Sequence, residues 1–309
     1  MLCEKPYVQG GQAFNCEGCL PCRINRRRIW AHRIELESLN HTASIFVTLT
    51  YNSQNLHSRS GIKVPDDPLT ETLASLQPKD LQNFFKRLRK AIAPQRIRYF
   101  AVGEYGDENW RPHYHAAIFG IGPCWNLQTK ERMGRAVAEQ CCPLCRLLQS
   151  TWNMGDIHAG VLEADSASYL AGYVTKKLTD PNDLRLEGRY PEFARMSNRP
   201  GIGRDAMHEI ASAVLTHETE VPTALRHGKK LKPLGRYLRN QLSELVGENV
   251  EIRKEVDRVK KEEEMLPLRQ AARNDKEAPT LRAQILKVNE GRRMSTLGRA
   301  KIFTSRKSL

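Results

Sequence analysis

The segment HYHAAIFG (His113–Gly120) constrains the fold most. Apart from its two histidines it is apolar or aromatic, the composition of a strand. Residues i and i+2 of a strand share a face, so His113 and His115 point the same way, close enough to share one cation. Upstream, IRYFAVGE (Ile97–Glu104) reads as a second strand, and the turn-rich YGDENWRP between them predicts an antiparallel hairpin with a longish loop. Such a hairpin brings Glu104, at the end of its strand, beside the two rings. Two imidazoles and one carboxylate with open coordination positions suit Mg²⁺, Mn²⁺ or another divalent ion acting as a Lewis acid. Two histidines satisfied within a sheet and an ordinary strand-end carboxylate form the competing explanation.

Periodicity extends the reading to either side. IFVTLTY (Ile45–Tyr51) is a strand with Ile45, Val47 and Leu49 on one face, and residues 52–77 are polar, punctuated by proline and glycine, and read as a long loop. Pro78 suits a helix start, and Leu81, Phe84, Phe85, Leu88 and Ile92 then recur at helical spacing until Pro94. GDIHAGVLE (Gly155–Glu163) adds a strand, and DSASYLAGYVTKKL (Asp165–Leu178) is a capped helix ending before Pro181. The sum is an α+β sheet domain over roughly residues 40–180. Three parts are expected: a Cys-rich basic segment over 1–38, a domain over 39–205 with an insertion at 121–150, and a basic, largely helical region over 206–309. The last shows too weak an apolar stripe to promise a core. No internal repeat is visible.

On the Asp165–Leu178 helix, Tyr169, Tyr173 and Lys176 are spaced i, i+4, i+7 and line one face, with Lys177 beside them. Leu170, Val174 and Leu178 form a neighbouring stripe that can dock the helix on the sheet. Tyrosine is a poor nucleophile at its unperturbed pKa of about 10, but a polarised phosphate needs little more than a positioned phenolate. A nearby ammonium favours that phenolate and the charge developing on phosphorus. Taken alone, the same letters also describe an amphipathic helix whose tyrosines pack at the edge of a core.

The formal charge of +14 calls for a polyanionic partner, and without a long apolar run that partner is nucleic acid rather than a membrane. The charge is clustered, and Arg26, Arg27 and Arg28 in the first cluster and Lys229, Lys230 and Lys232 in an acid-free stretch (Val221–Ser243) are candidate DNA contacts. The N-terminus lacks the layout of a secretory signal, so a reducing cytoplasm is expected, where the eight cysteines are thiols or metal ligands rather than disulfides. Cys16, Cys19 and Cys22 follow at two-residue gaps with Cys3 upstream, and Cys141, Cys142 and Cys145 have Cys124 upstream. C-x₂-C units in such a chain commonly hold structural zinc; buried thiols without metal are the alternative.

In chain order, FVTLTY, GEYGDENWRPHYHAAIFG and YLAGYVTKK resemble the three motifs of the HUH endonuclease superfamily. The likeness is closest to the replication initiators of microviruses, small single-stranded DNA phages, in their gokushovirus branch. CEGCLPCR, FKRLRK and NRPGIGRD (Asn198–Asp205) look like that branch too, and the likeness runs over about residues 3–235. It implies a five-stranded antiparallel sheet with flanking helices and the two histidines on a central strand. It implies His113 and His115 as metal ligands with Glu104 as the third, Tyr173 as nucleophile, Tyr169 as a second tyrosine and Lys176 as the lysine one turn later. The implied activity is rolling-circle nicking of single-stranded or melted origin DNA, with a 5′-phosphotyrosine adduct, a freed 3′-OH primer and rejoining of the displaced strand. The setting is the cytoplasm of a bacterial host, with host helicase and polymerase as partners. A single-tyrosine relaxase or transposase and a non-enzymatic, zinc-structured nucleic-acid-binding protein remain open readings. The 121–150 segment and the C-terminal tail depart from the family's pattern.

Overall fold

A computed structural model describes residues 2–59, 74–107, 109–122, 124, 140–173 and 180–305. The chain opens with a short hairpin, β1 (Tyr7–Gln9) and β2 (Gln12–Phe14), followed by α1 (Leu20–Leu39), β3 (Ser44–Thr50), α2 (Ser53–Arg59) and α3 (Pro78–Ala91). The hairpin of β4 (Arg98–Tyr105) and β5 (Pro112–Phe119) comes next, then α4 (Pro143–Trp152), β6 (Ile157–Val161), α5 (Ala164–Tyr173) and β7 (Phe193–Met196). After it lie α6 (Met207–Thr216), the hairpin of β8 (Ala224–His227) and β9 (Lys230–Pro233), α7 (Gly235–Leu245), α8 (Val250–Asn274), α9 (Leu281–Val288) and α10 (Glu290–Ser305).

Five strands form one sheet in the order β6–β3–β5–β4–β7, each neighbouring pair antiparallel, with β5 at the centre. Helices cover both faces, so the fold is α+β and the middle strands are apolar on both sides. Val47, Leu49, Tyr114, Ala116 and Ile118 turn to one face, where α3 supplies Leu81, Phe84, Phe85 and Leu88 and α4 supplies Leu148 and Trp152. Phe100, Val102, Ala117 and Phe119 turn to the other, under Ile34 of α1 and Ala167 and Leu170 of α5. Each fully buried Leu or Phe stabilises the fold by about 1.5–3 kcal/mol. Pro78 lies in the first turn of α3, where its missing N–H leaves no bond unmade, and Asp80 and the Arg89–Lys90 pair match the helix dipole at its two ends.

A buried carboxylate fixes α1 to the sheet. Glu37 pairs with Arg98 of β4, accepts the Gly203 N–H at 2.7 Å and lies 3.2 Å from His41 Nε2. Burial raises its pKa, but the bonds from His41, Arg98 and Gly203 outweigh burial and leave it below the usual carboxylate range.

Elsewhere the structure revises the sequence reading. The expected loop over 52–77 contains α2, started by Asn52, whose Oδ1 accepts the Asn55 N–H at 2.8 Å, and 60–73 lie outside the described residues. Residues 143–150, counted with an insertion, form most of α4, whose Leu148 and Trp152 are fully buried. The C-terminal region does build a core. Met207, Ala211, Leu234, Leu238 and Leu242 close on Leu36, so part of the apolar surface they need comes from α1. β7, at the sheet edge, is a four-residue strand too short for pattern reading. The far end of the tyrosine helix, with Val174, Lys176, Lys177 and Leu178, lies outside the described residues.

Candidate metal and tyrosine site

Strand register assembles the site. β4 and β5 place Glu104 opposite His113 and Val102 opposite His115, while β3 sets Thr48 opposite His115 and Thr50 opposite His113. Glu104 Oε1 lies 2.7 Å from His113 Nε2 and 2.8 Å from His115 Nε2. The other ring nitrogens are also engaged, His113 Nδ1 at 3.0 Å from the Arg111 carbonyl and His115 Nδ1 at 2.9 Å from Thr48 Oγ1.

These contacts bear on whether the trio fits a cation. A carbonyl oxygen only accepts, so the proton of His113 is assigned to Nδ1, and the neutral ring then turns a bare Nε2 lone pair toward Glu104. Lone pair and carboxylate are both acceptors, and at 2.7 Å they repel unless a proton or a cation lies with them. Glu104 is 2% exposed; burial raises its pKa, but hydrogen bonds from His113 and His115 outweigh burial and bring it to about 2, so it is ionised at neutral pH. The three ligand atoms lie within 4.8 Å of one another. Two imidazoles oriented through their far nitrogens and one carboxylate oxygen form a donor set that fits a divalent ion with positions left for other ligands. Those positions face a cavity of about 460 Å³ lined by Thr48, Thr50, Asn109, Arg111, His158 and Tyr169 among others.

α5 crosses this face of the sheet. Tyr169 Oη lies 3.4 Å from His115 Nε2, and the two rings meet edge to face with centroids 5.2 Å apart. The ring of Tyr173 stacks on His115 at 5.7 Å and meets Tyr169 at 4.9 Å. One helical turn separates the tyrosines, which is why both reach the same imidazole. Burial first, and then the negative charge of Glu104, raise the pKa of both phenols. Glu104, His113, His115, Tyr169 and Tyr173 therefore converge, and Lys176 falls outside the described residues.

The basic groups divide. Arg27 Nε donates to the Ser168 carbonyl of α5 at 2.9 Å; burial lowers its pKa, and attraction to Tyr173 opposes that shift. Arg28 Nη2 donates to the Leu231 carbonyl at 3.0 Å, Lys232 pairs with Glu35, and Arg26 pairs with Glu17 at 2.8 Å. Lys229 and Lys230 are exposed at the β8–β9 turn. The two candidate DNA-contact groups are thus neighbours, joined through α1 and β9. The cysteines gather as Cys3, Cys16, Cys19 and Cys22 and as Cys124, Cys141, Cys142 and Cys145.

Sequence reasoning passed over His158. Its register partner on β3 is Thr48, which also faces His115, so three adjacent strands place His158, Thr48 and His115 in one row. Ile157 and Ala159, buried on the opposite face, carried the available signal: they fix the phase of the strand and turn His158 to the site.

A five-stranded sheet with a histidine pair on its central strand and tyrosines on the helix above is the HUH-like architecture, and sequence comparison carries this further. Residues 44–178 match the family model of the ORF2-type replication-associated proteins, so the part of the chain that bears the whole site belongs to that family. The chain is 34% identical over 199 residues to replication-associated protein VP4 of Bdellovibrio phage phiMH2K, covering 62% of this chain and 56% of that protein. It is 31% identical over 204 residues to replication-associated protein ORF2 of Spiroplasma virus 4, covering 65% and 58%. With replication-associated protein ORF4 of Chlamydia phage 1 the identity is 24% over 239 residues, covering 76% and 55%. The chain thus spans little more than half the length of these relatives. No solved structure matches it.

Proposed function

We propose that the protein initiates rolling-circle replication of a phage genome by nicking origin DNA, single-stranded or locally melted, through attack of a tyrosine on the scissile phosphodiester. The observation that carries this reading is the convergence of Tyr169 and Tyr173 on His115, within the same trio as Glu104 and His113, at the edge of one cavity. Its resemblance to phage replication-associated proteins supports the same reading.

Glu104, His113 and His115 would hold Mg²⁺ or Mn²⁺, which when bound supplies Lewis-acid polarisation of a phosphate oxygen. The chain's own residues do the rest. Arg111 and Thr48 fix the two rings through their Nδ1 atoms, so both Nε2 atoms stay turned to Glu104. α5 presents one phenol to the phosphorus. The phenolic oxygen forms the new P–O bond, the bond to the 3′-oxygen breaks, and the proton lost by the phenol balances the one gained by the leaving oxygen. The 5′ end stays on the protein, and the 3′-OH serves as primer for a host polymerase, with a host helicase opening the duplex. Arg27, held on Ser168 with its charge near Tyr173, favours the phenolate, the task sequence assigned to Lys176. Both phenols reach His115, which supports two-tyrosine chemistry over a single-tyrosine relaxase or transposase. One tyrosine holds the first 5′ end while the other cleaves the regenerated origin, and the strand is rejoined.

The test is incubation of the full chain with tiled single strands of its genome, with Mg²⁺ or Mn²⁺ and with chelator. A DNA adduct that survives denaturation and maps to one site is expected only with the ion. Binding without any adduct, in either ion, would leave the non-enzymatic DNA-binding reading in its place.

A further inference from the structure

Eight cysteines take no part in this chemistry, and they form two clusters built alike. Each has a C-x₂-C unit across the start of a helix. Cys19 is the N-cap of α1 and Cys22 lies in its first turn; Cys142 is the N-cap of α4 and Cys145 lies in its first turn. Each also draws in thiols from upstream, Cys3 and Cys16 in one case, Cys124 and Cys141 in the other. Proline follows in both first turns, Pro21 and Pro143, so the chain enters each helix on a fixed path.

The sulfur spacing identifies what the clusters are for. A disulfide needs about 2.0 Å between sulfurs. Four thiolates held at about 2.3 Å around one tetrahedral ion lie about 3.8 Å apart. The observed separations are 3.8 Å for Cys19–Cys3, 3.8 Å for Cys142–Cys124, and 3.5 Å for Cys124–Cys141 and Cys145–Cys124. All four ligand atoms lie within 4.8 Å of one another in each cluster. Backbone N–H groups also aim at sulfur: Cys16 N–H at Cys3 Sγ (3.2 Å), Cys19 N–H at Cys16 Sγ (3.4 Å), Glu4 N–H at Cys19 Sγ (3.4 Å) and Cys145 N–H at Cys142 Sγ (3.5 Å). A neutral thiol accepts weakly and a thiolate well. Four thiolates at this spacing repel strongly without a divalent cation among them.

We infer that the chain holds two structural Zn²⁺ ions, one in the Cys3–Cys16–Cys19–Cys22 cluster and one in the Cys124–Cys141–Cys142–Cys145 cluster. Four protein thiolates close each site, the mark of a structural rather than a catalytic zinc. The first ion ties the β1–β2 hairpin to the head of α1; its three-residue strands are too short to stand alone. The same helix carries Arg27 to α5 and Glu37 to β4, so the ion sits at the root of the element that holds the tyrosine helix in place. The second ion joins Cys124, just beyond β5, to the head of α4, whose Trp152 indole donates to the Thr50 carbonyl at 2.8 Å. It closes the chain between β5 and α4 into a loop whose ends are fixed.

The experiment counts metal on the full chain, purified under reducing conditions without chelator, by elemental analysis against a measured protein concentration. It runs in the His113→Ala/His115→Ala background, so that zinc captured by the histidine site is not counted. Two zinc ions per chain are expected, one in each of the Cys3→Ser and Cys124→Ser variants, and none in the double variant. Should a variant fail to fold, cobalt loading of the parent decides: two equivalents per chain with the red-region bands of tetrahedral thiolate coordination are expected. Zero or one equivalent in the parent would overturn the two-site inference, as would the visible absorption of an iron–sulfur cluster. Because DNA plays no part, the result stands or falls separately from the nicking mechanism.

Discussion

Two pairs of tyrosines occupy opposite faces of the same sheet. Tyr51 and Tyr114 touch through their hydroxyls at 2.8 Å, and both are at most 1% exposed. Tyr51 donates to Asp80 at 2.9 Å, and the Tyr114 oxygen meets the N–H of Gln77 at 2.8 Å and its carbonyl at 3.1 Å. Their oxygens are saturated by protein in a closed core. Tyr169 and Tyr173 lie across the sheet from them, where Tyr169 lines a cavity and both rings meet His115. Tyr114 stands between His113 and His115 in the sequence and still belongs to the other pair, because alternate strand residues face opposite ways. Burial raises the pKa of all four phenols, so the residue type and its ionisation do not separate them. What separates them is the neighbourhood: a carbonyl, an amide and a carboxylate that complete a structural network, or a carboxylate–imidazole trio at an open cleft.

Removing single oxygens sharpens that contrast most. The Tyr169→Phe/Tyr173→Phe double variant should fold, bind DNA and form no covalent adduct on a denaturing gel, while Tyr173→Phe alone loses most of the first cleavage. Tyr114→Phe should do the reverse: adduct formation persists and chemical denaturation shows a loss of about 1–2 kcal/mol, the cost of leaving buried groups without a partner. A folded Tyr114→Phe protein without adduct would erase the distinction.

The trio comes next. His113→Ala and His115→Ala should each abolish nicking while leaving oligonucleotide affinity within a few-fold, because phosphate contacts lie elsewhere. Glu104→Gln should weaken Mn²⁺ affinity by about 10–100-fold, read by titration. Cleavage by the His113 variant in chelator-treated buffer would sink the metal mechanism.

A similar contrast separates two buried carboxylates. Glu104 meets the two imidazoles, whereas Glu37 meets Arg98, His41 and the Gly203 amide. Glu37→Gln leaves Arg98 without its counter-charge and should cost about 3 kcal/mol, with DNA chemistry intact in the folded fraction. The folded pKa of Glu37 is lowered, so its stabilisation is fully present above the unfolded carboxylate pKa of about 4.3 and is lost as pH falls through the folded value. Acid titration of stability should therefore be shallower in the variant.

Local periodicity made the strands, the α3 helix, the histidine pair and the tyrosine spacing legible, because each is written within one or two turns of chain. What escaped depends on distant residues. The C-terminal core needs Leu36 from α1 to close it, α2 hides in polar letters behind an Asn cap, and His158 acquires its place only through the pairing of β6 with β3. The basic clusters show the limit most clearly. Arg27 bonds a carbonyl, Arg33 donates to the Ile202 carbonyl, and Arg98 meets Glu37, so they serve the fold at positions that read as phosphate-tracking. A sequence records the cation and leaves its counter-group unstated.

The smallest expected effect divides that cationic surface further. Lys229 and Lys230 are exposed at the β8–β9 turn, while Lys232, two residues on, is paired with Glu35 of α1. For single strands, log affinity falls with log salt by about 0.7 for each phosphate contacted, as counterions are released. If the hairpin lies along the DNA, Lys229→Ala and Lys230→Ala should each flatten the slope by about that amount. Lys232→Ala should leave the slope nearly unchanged, because its charge already answers Glu35, and should instead loosen the hairpin from α1. Binding titrations at four salt concentrations with one oligonucleotide provide the three slopes. Equal flattening by all three lysines would mean that the Glu35 pair opens on the DNA, and no flattening by any would move the DNA track off this hairpin.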